Sequence, residues 1–272
     1  MSAKLEPPSA TAMIVILCLL ASMVVTQCGG VEAPLHTAAA APSSSESARA
    51  ASKPPALPPS SAPPATSVAP PPTKQAYTVA AMGDSLTDTK SHGGKYLAFV
   101  QERCPKTRID NYGKGGDMVN QMRRRFVKQL LASGNEYTHL VVFGGVNDLY
   151  SDLTAGRTPK KIAKDLEYMY TTAKKQGMRV IAITVAPWGG FRQYYNARRG
   201  AATKQLNDWI REQLRTGSVD HLVDAYPLLS CGDEEKLCRD YEVSFRDGLH
   251  LGPKGHEKLG EALYQAAFRD CL

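Results

Sequence analysis

"YTHLVVFGGVNDLY", residues 137–150, packs five residues (His139–Phe143) against two glycines and a polar Val-Asn-Asp turn. The run LVVF is too short for a helix and apolar at consecutive positions. That is the pattern of a strand covered on both faces, as in a parallel sheet. A second such run, VIAITV, follows at 180–185. Working outward, Tyr77 to Met82, Thr107 to Tyr112, Arg179 to Val185 and His221 to Ala225 also read as strands. Between them lie helical faces: Val119, Met122, Phe126, Leu130; then Ile162, Leu166, Met169, Ala173; then Leu206, Trp209, Ile210, Leu214. A last helix carries Leu259, Leu263, Ala266 and Ala267 after Pro253, a residue suited to a helix start. Five β-α units with short connections predict an α/β domain, an open five-stranded parallel sheet with helices on both sides. Ligands in such sheets bind beyond the carboxyl ends of the strands.

That domain occupies residues 76–272. Residues 1–28 read as an export signal: Lys4, then the apolar run Met13–Val25, which spans about 20 Å as a helix, short of a bilayer core. Val25-Thr26-Gln27-Cys28-Gly29 resembles a bacterial lipobox, with Gln27 departing from the usual small residue. The resemblance implies lipidation at Cys28, a membrane partner through that lipid, and a place at the bacterial cell envelope; plain secretion and an uncleaved anchor are the alternatives. Residues 29–75 are rich in Ala, Ser and Pro, with nine prolines between Pro54 and Pro72, and read as a disordered tether. Net charge is +7, spread over the chain except for Arg123-Arg124-Arg125 with Lys128, expected on a solvated helix face. Aromatic residues do not interleave with basic ones, and no nucleic-acid motif occurs. The domain's four cysteines allow three pairings. Cys231 and Cys238 bracket a short polar loop and are expected to pair. That leaves Cys104 with Cys271, which requires strand order 2-1-3-4-5 and neighbouring first and last helices. No cysteines and histidines have zinc spacing, so neither metal nor cofactor is expected.

Four polar clusters fall on one edge of this scaffold. Gly83-Asp84-Ser85-Leu86-Thr87-Asp88 follows the first strand, and Gly113-Lys114-Gly115-Gly116-Asp117 the second. Gly144-Gly145-Val146-Asn147-Asp148 follows the third, and Asp247-Gly248-Leu249-His250 precedes the last helix. Acyl transfer needs a nucleophile, a base, an acid that orients the base, and donors for the oxyanion. Ser85, His250 and Asp247 can fill the first three roles. The Ser85 and Gly116 N–H groups and the Asn147 amide can supply the donors. Each cluster alone also reads as an ordinary Asx turn or helix cap. His92 is a candidate for the substrate entry. The loop at Trp188 and the pair Tyr194-Tyr195 could stack on a sugar or simply pack.

GDSLTD, the glycine of GGD, GVND and DGLH, in this order, resemble the four signature blocks of the SGNH hydrolases, the GDSL esterase/lipase family. The resemblance covers residues 76–272 and implies a flavodoxin-like, three-layer α/β/α sandwich. It also implies a catalytic Ser85, Asp247 and His250, and an oxyanion hole of Ser85, Gly116 and Asn147. Met118 departs from the small polar residue usual after the block glycine, and the Pro187-Trp188-Gly189-Gly190 loop matches no family pattern. The implied substrates are small-molecule or glycan esters, with short acyl groups or acetylated glycans ahead of lysophospholipids. From a different class, an inactive flavodoxin-like envelope binding protein would use the same loops. Asp84 and Asp88 disfavour an anion cradle there, and Gly83-Asp84-Ser85-Leu86-Thr87 is not the G-x-S-x-G of α/β-hydrolases.

Overall fold

The computed structural model describes residues 74–272. The expected export segment, Cys28 and nearly all of the expected tether lie outside the described residues. Five strands, β1 (Thr78–Gly83), β2 (Arg108–Gly113), β3 (His139–Phe143), β4 (Arg179–Ile183) and β5 (His221–Val223), form one sheet in the order β2-β1-β3-β4-β5. Every pairing is parallel; β1 meets β3 from Val79 opposite His139 to Gly83 opposite Phe143. The chain is thus an α/β protein with its topological switch between β1 and β3.

Helices α1 (Lys95–Arg103), α2 (Val119–Arg125), α3 (Val146–Tyr150), α4 (Pro159–Lys175), α5 (Ala197–Arg215), α6 (Ala225–Leu228) and α7 (Pro253–Ala267) cover the sheet. One layer buries Met122, Phe126, Leu166, Met169, Leu206 and Ile210 against β1, β3 and β4. The other buries Tyr96, Val100, Leu259, Leu263 and Phe268 against Phe143 and Ile181. Each large side chain so buried contributes about 1.5–3 kcal/mol of transfer free energy. Cys104 and Cys271 close the second layer as a disulfide, with Cα atoms 5.4 Å apart.

The structure differs from the sequence expectation at four places. Strands β4 and β5 stop at Ile183 and Val223, before the apolar runs end. Beyond them the Asn207 carboxamide takes over the Val185 backbone, accepting from its N–H at 2.8 Å and donating to its carbonyl at 3.0 Å. The loop between Cys231 and Cys238 is a hairpin, β6 (Ser230–Cys231) against β7 (Asp233–Leu237), closed by their disulfide. Leu214 lies 42% exposed near the end of α5 rather than on its packed face. The basic run is not uniformly solvated: Arg123 pairs with Asp165, and Arg125 is held inside the site.

Candidate active site

The Asp84–Asp88 segment turns sharply at the end of β1. The Asp84 carbonyl accepts from the N–H groups of Thr87 and Asp88 at 3.1 and 2.9 Å, and its carboxylate accepts from Leu86 N at 3.0 Å. This is an Asx turn, and it is also what presents Ser85 at the strand end. A Cβ on Gly83 would lie 2.1 Å from Thr87 Oγ1, so the turn closes this tightly only with glycine there.

The Asp247–His250 loop is clamped at its base. Glu242 and Leu251 form an antiparallel bridge, and Val243 N donates to His250 O at 3.0 Å. Within it, Asp247 Oδ1 accepts from Leu249 N at 2.9 Å and His250 N at 2.8 Å, leaving Oδ2 to meet His250 Nδ1 at 2.5 Å. Burial opposes ionisation of Asp247, yet these hydrogen bonds outweigh it and hold its pKa below the ordinary carboxylate value. His250 Nε2 lies 2.9 Å from Ser85 Oγ. The chain brings Ser85 together with a His250–Asp247 pair, His250 lying 165 positions further on, into one hydrogen-bonded relay.

Gly116 and Asn147 line the same cleft as Ser85. Gly116 has φ +78°, a left-handed conformation that aims the turn after β2 at little steric cost only in glycine. The N–H groups of Ser85 and Gly116 donate to no other group among the described residues. Asn147 is buried, and its Nδ2 donates one hydrogen to Asp117 O at 2.9 Å, leaving the second available.

Two arginines hold this arrangement: Arg125, expected on a solvated helix face but in fact half-buried, and the buried Arg157, which the sequence did not mark. Arg125 donates through Nε to Asp117 at 2.5 Å, through Nη1 to Tyr112 O at 2.5 Å and through Nη2 to Gly83 O at 3.2 Å. It ties the ends of β1 and β2 to the turn carrying Gly116. Arg157 lies between Asp148 and Asp165 at 2.6 and 2.7 Å, and the other Asp148 oxygen accepts from Val119 N at 2.8 Å. That joins the Asn147 helix to the start of α2. Nothing local in the sequence marks these partners, since they lie 8 to 42 residues away.

Around Ser85 the cleft encloses about 850 Å³. His92, Asn111, Tyr150, Phe191, Val243 and Phe245 are among the residues that line it. Trp188 does not reach it: the side chain is fully buried, with Nε1 on Thr203 Oγ1 at 2.9 Å and Tyr195 packed edge-on at 4.9 Å. Tyr194 instead braces Tyr150 and Phe191. His256 is buried against Tyr96, and burial lowers its pKa to about 4. Among the described residues no His, Cys, Asp or Glu cluster is suited to a metal ion, and no helix is long and apolar enough to cross a membrane.

Comparison with known proteins places the fold. The model for the GDSL-like lipase/acylhydrolase family matches residues 81–258. A GDSL-like lipase from Bacteroides thetaiotaomicron shares the fold with a TM-score of 0.58 at 19% identity, over 70% of this chain and 86% of that one. A lipase/acylhydrolase from Enterococcus faecalis does so with 0.57 at 21%, over 70% and 94%. The acetyl xylan esterase AlAXEase gives 0.55 at 22%, over 69% and 98%. No curated protein sequence matches significantly. The matched segment begins within β1 and runs into α7, spanning all four loops at the sheet edge, and the chain belongs to the GDSL-like lipase/acylhydrolase family of ester hydrolases.

Proposed function

We propose that the protein is a serine carboxylesterase acting on short-acyl esters or acetylated glycans at the bacterial cell envelope. The continuous relay from Asp247 through His250 to Ser85, beside two unengaged N–H groups, carries this reading. His250 Nε2 takes the Ser85 proton as Oγ attacks the ester carbonyl, and Asp247 steadies the imidazolium. The oxyanion gathers at Ser85 N, Gly116 N and Asn147 Nδ2. His250 then returns the proton to the departing alcohol, leaving Ser85 acylated, and activates the water that releases the acid. The acetyl xylan esterase among the similar structures supports a short acyl group. The lysophospholipase reading draws on the apolar wall of Val243, Phe245, Leu249 and Leu251.

Cys28 would carry a lipid, and residues 29–75 would space the domain at residues 76–272 from the membrane. A panel of chromogenic esters from acetyl to long-chain tests the activity. Turnover that falls with acyl length and disappears in Ser85→Ala supports the proposal. Equal rates for wild type and Ser85→Ala on every ester defeat it, and a rise with chain length favours the lipase reading.

A further inference from the structure

Beside the catalytic cleft lies a second concavity of about 490 Å³. The two share their dividing wall. Along residues 190–192 and 242–248, Phe191, Val243 and Phe245 line the cleft, whereas Gly190, Arg192, Glu242, Arg246 and Gly248 line the second groove. The wall is rigid at its core. Gly190 and Gly248 meet backbone to backbone, so that a Cβ on Gly248 would stand 2.1 Å from Gly190 C. Gly189 N is in turn fixed to Glu235 O of the disulfide-closed hairpin at 2.6 Å.

The groove is cationic. Arg192, Arg239, Arg246 and Lys236 line it, with Asp233 and Glu242 as its only acids. Asp233 and Lys236 pair at 2.7 Å and offset each other, and Glu242 accepts from Gly248 N at 3.2 Å, so three arginines stand against one carboxylate. Arg192, Arg239 and Arg246 form no ion pair among the described residues. Arg246 also holds φ +50°, a backbone conformation that glycine or asparagine would adopt with less strain. A strained arginine directly before the triad acid is an outlier of the kind that marks functional sites.

We propose that this groove binds carboxylate groups of an acidic glycan whose acylated sugar lies in the catalytic cleft. The inference rests on the esterase reading and narrows its substrate. Guanidinium forks match carboxylates in two-point geometry. Phe245, 68% exposed on the dividing wall, is an apolar surface for the sugar that crosses from one concavity to the other. A concave site also suits a chain of uronate residues better than the flat surface of a bilayer.

The test compares the full-length protein on acetylated tetragalacturonate, acetylated xylotetraose and 4-nitrophenyl acetate. At low salt kcat/KM should favour the acidic tetramer. The double variant Arg192→Gln/Arg239→Gln should lower that value about fivefold, mainly through KM, as two weakly screened charge contacts would. Salt at 0.5 M should erase most of the preference. Hydrolysis of 4-nitrophenyl acetate by the double variant should stay at the wild-type rate. If that small ester is hydrolysed but the two tetramers are equivalent, or the arginine variant leaves the preference intact, this inference falls and the esterase reading stands. If no ester is hydrolysed, both fall. Arginine-dependent binding to anionic lipid vesicles without any glycan preference would instead assign the groove to the membrane and overturn the proposal.

Discussion

Asp84 stands one residue before the nucleophile with one oxygen on Leu86 N and the other, fully buried, without a donor. Burial raises its pKa to about 7, so the carboxyl is easily protonated beside Ser85. A pKa raised on folding contributes stability that is complete below pH 4 and is lost as pH climbs to about 7, on the order of 4 kcal/mol. Asp84→Asn keeps an acceptor for Leu86 N and does not titrate. Its stability relative to wild type should therefore rise between pH 4 and 7, as measured by urea unfolding at both; a flat difference would refute the shift. Across the cleft, Asn147 is held by one donated hydrogen bond with its second hydrogen free. Asn147→Ala should lower kcat on a short ester about 10²–10³-fold with KM nearly unchanged. An effect confined to KM would remove Asn147 from the oxyanion hole.

Among the elements, α2 and α3 are coupled by charge buried between them. Asp148 at the start of α3 binds Val119 N and Arg157, and Arg157 also reaches Asp165 on α4. Arg157→Met leaves the fully buried Asp148 carboxylate without its cation, while Asp165 keeps Arg123, and should cost about 3–5 kcal/mol in urea unfolding. Asp148→Asn added to it should recover part of that loss. The parallel strands were legible because LVVF and VIAITV are apolar on both faces. The catalytic loops were legible because their residues lie in short local blocks. Arg125 was not: its partners Asp117, Tyr112 O and Gly83 O meet it only once β1 and β2 pair, and an arginine in a basic run reads as surface. The β6–β7 hairpin escaped for another reason. Asp233-Glu-Glu-Lys carries no apolar alternation, so the pairing comes from the Cys231–Cys238 link and from Glu235 O on Gly189.

In the molecule as a whole, the ends of the described chain are fastened together. Gln75 O accepts from Leu272 N at 2.8 Å, and the Cys104–Cys271 disulfide spans 167 residues of sequence. Loop-closure entropy for a link of that length corresponds to roughly 5 kcal/mol, against roughly 2.5 for the seven-residue Cys231–Cys238 link. Cys104→Ser/Cys271→Ser should lower Tm by roughly 10–20 °C and Cys231→Ser/Cys238→Ser by about half as much, by calorimetry. Equal effects would show that loop length does not govern the stabilisation. The central claim, an acyl-enzyme at Ser85, is tested most directly by treating the protein with a fluorophosphonate and mapping the adduct by peptide mass spectrometry. The account predicts one adduct, on the peptide containing Ser85, formed in step with loss of ester hydrolysis. Complete loss of hydrolysis with Ser85 unmodified would contradict it.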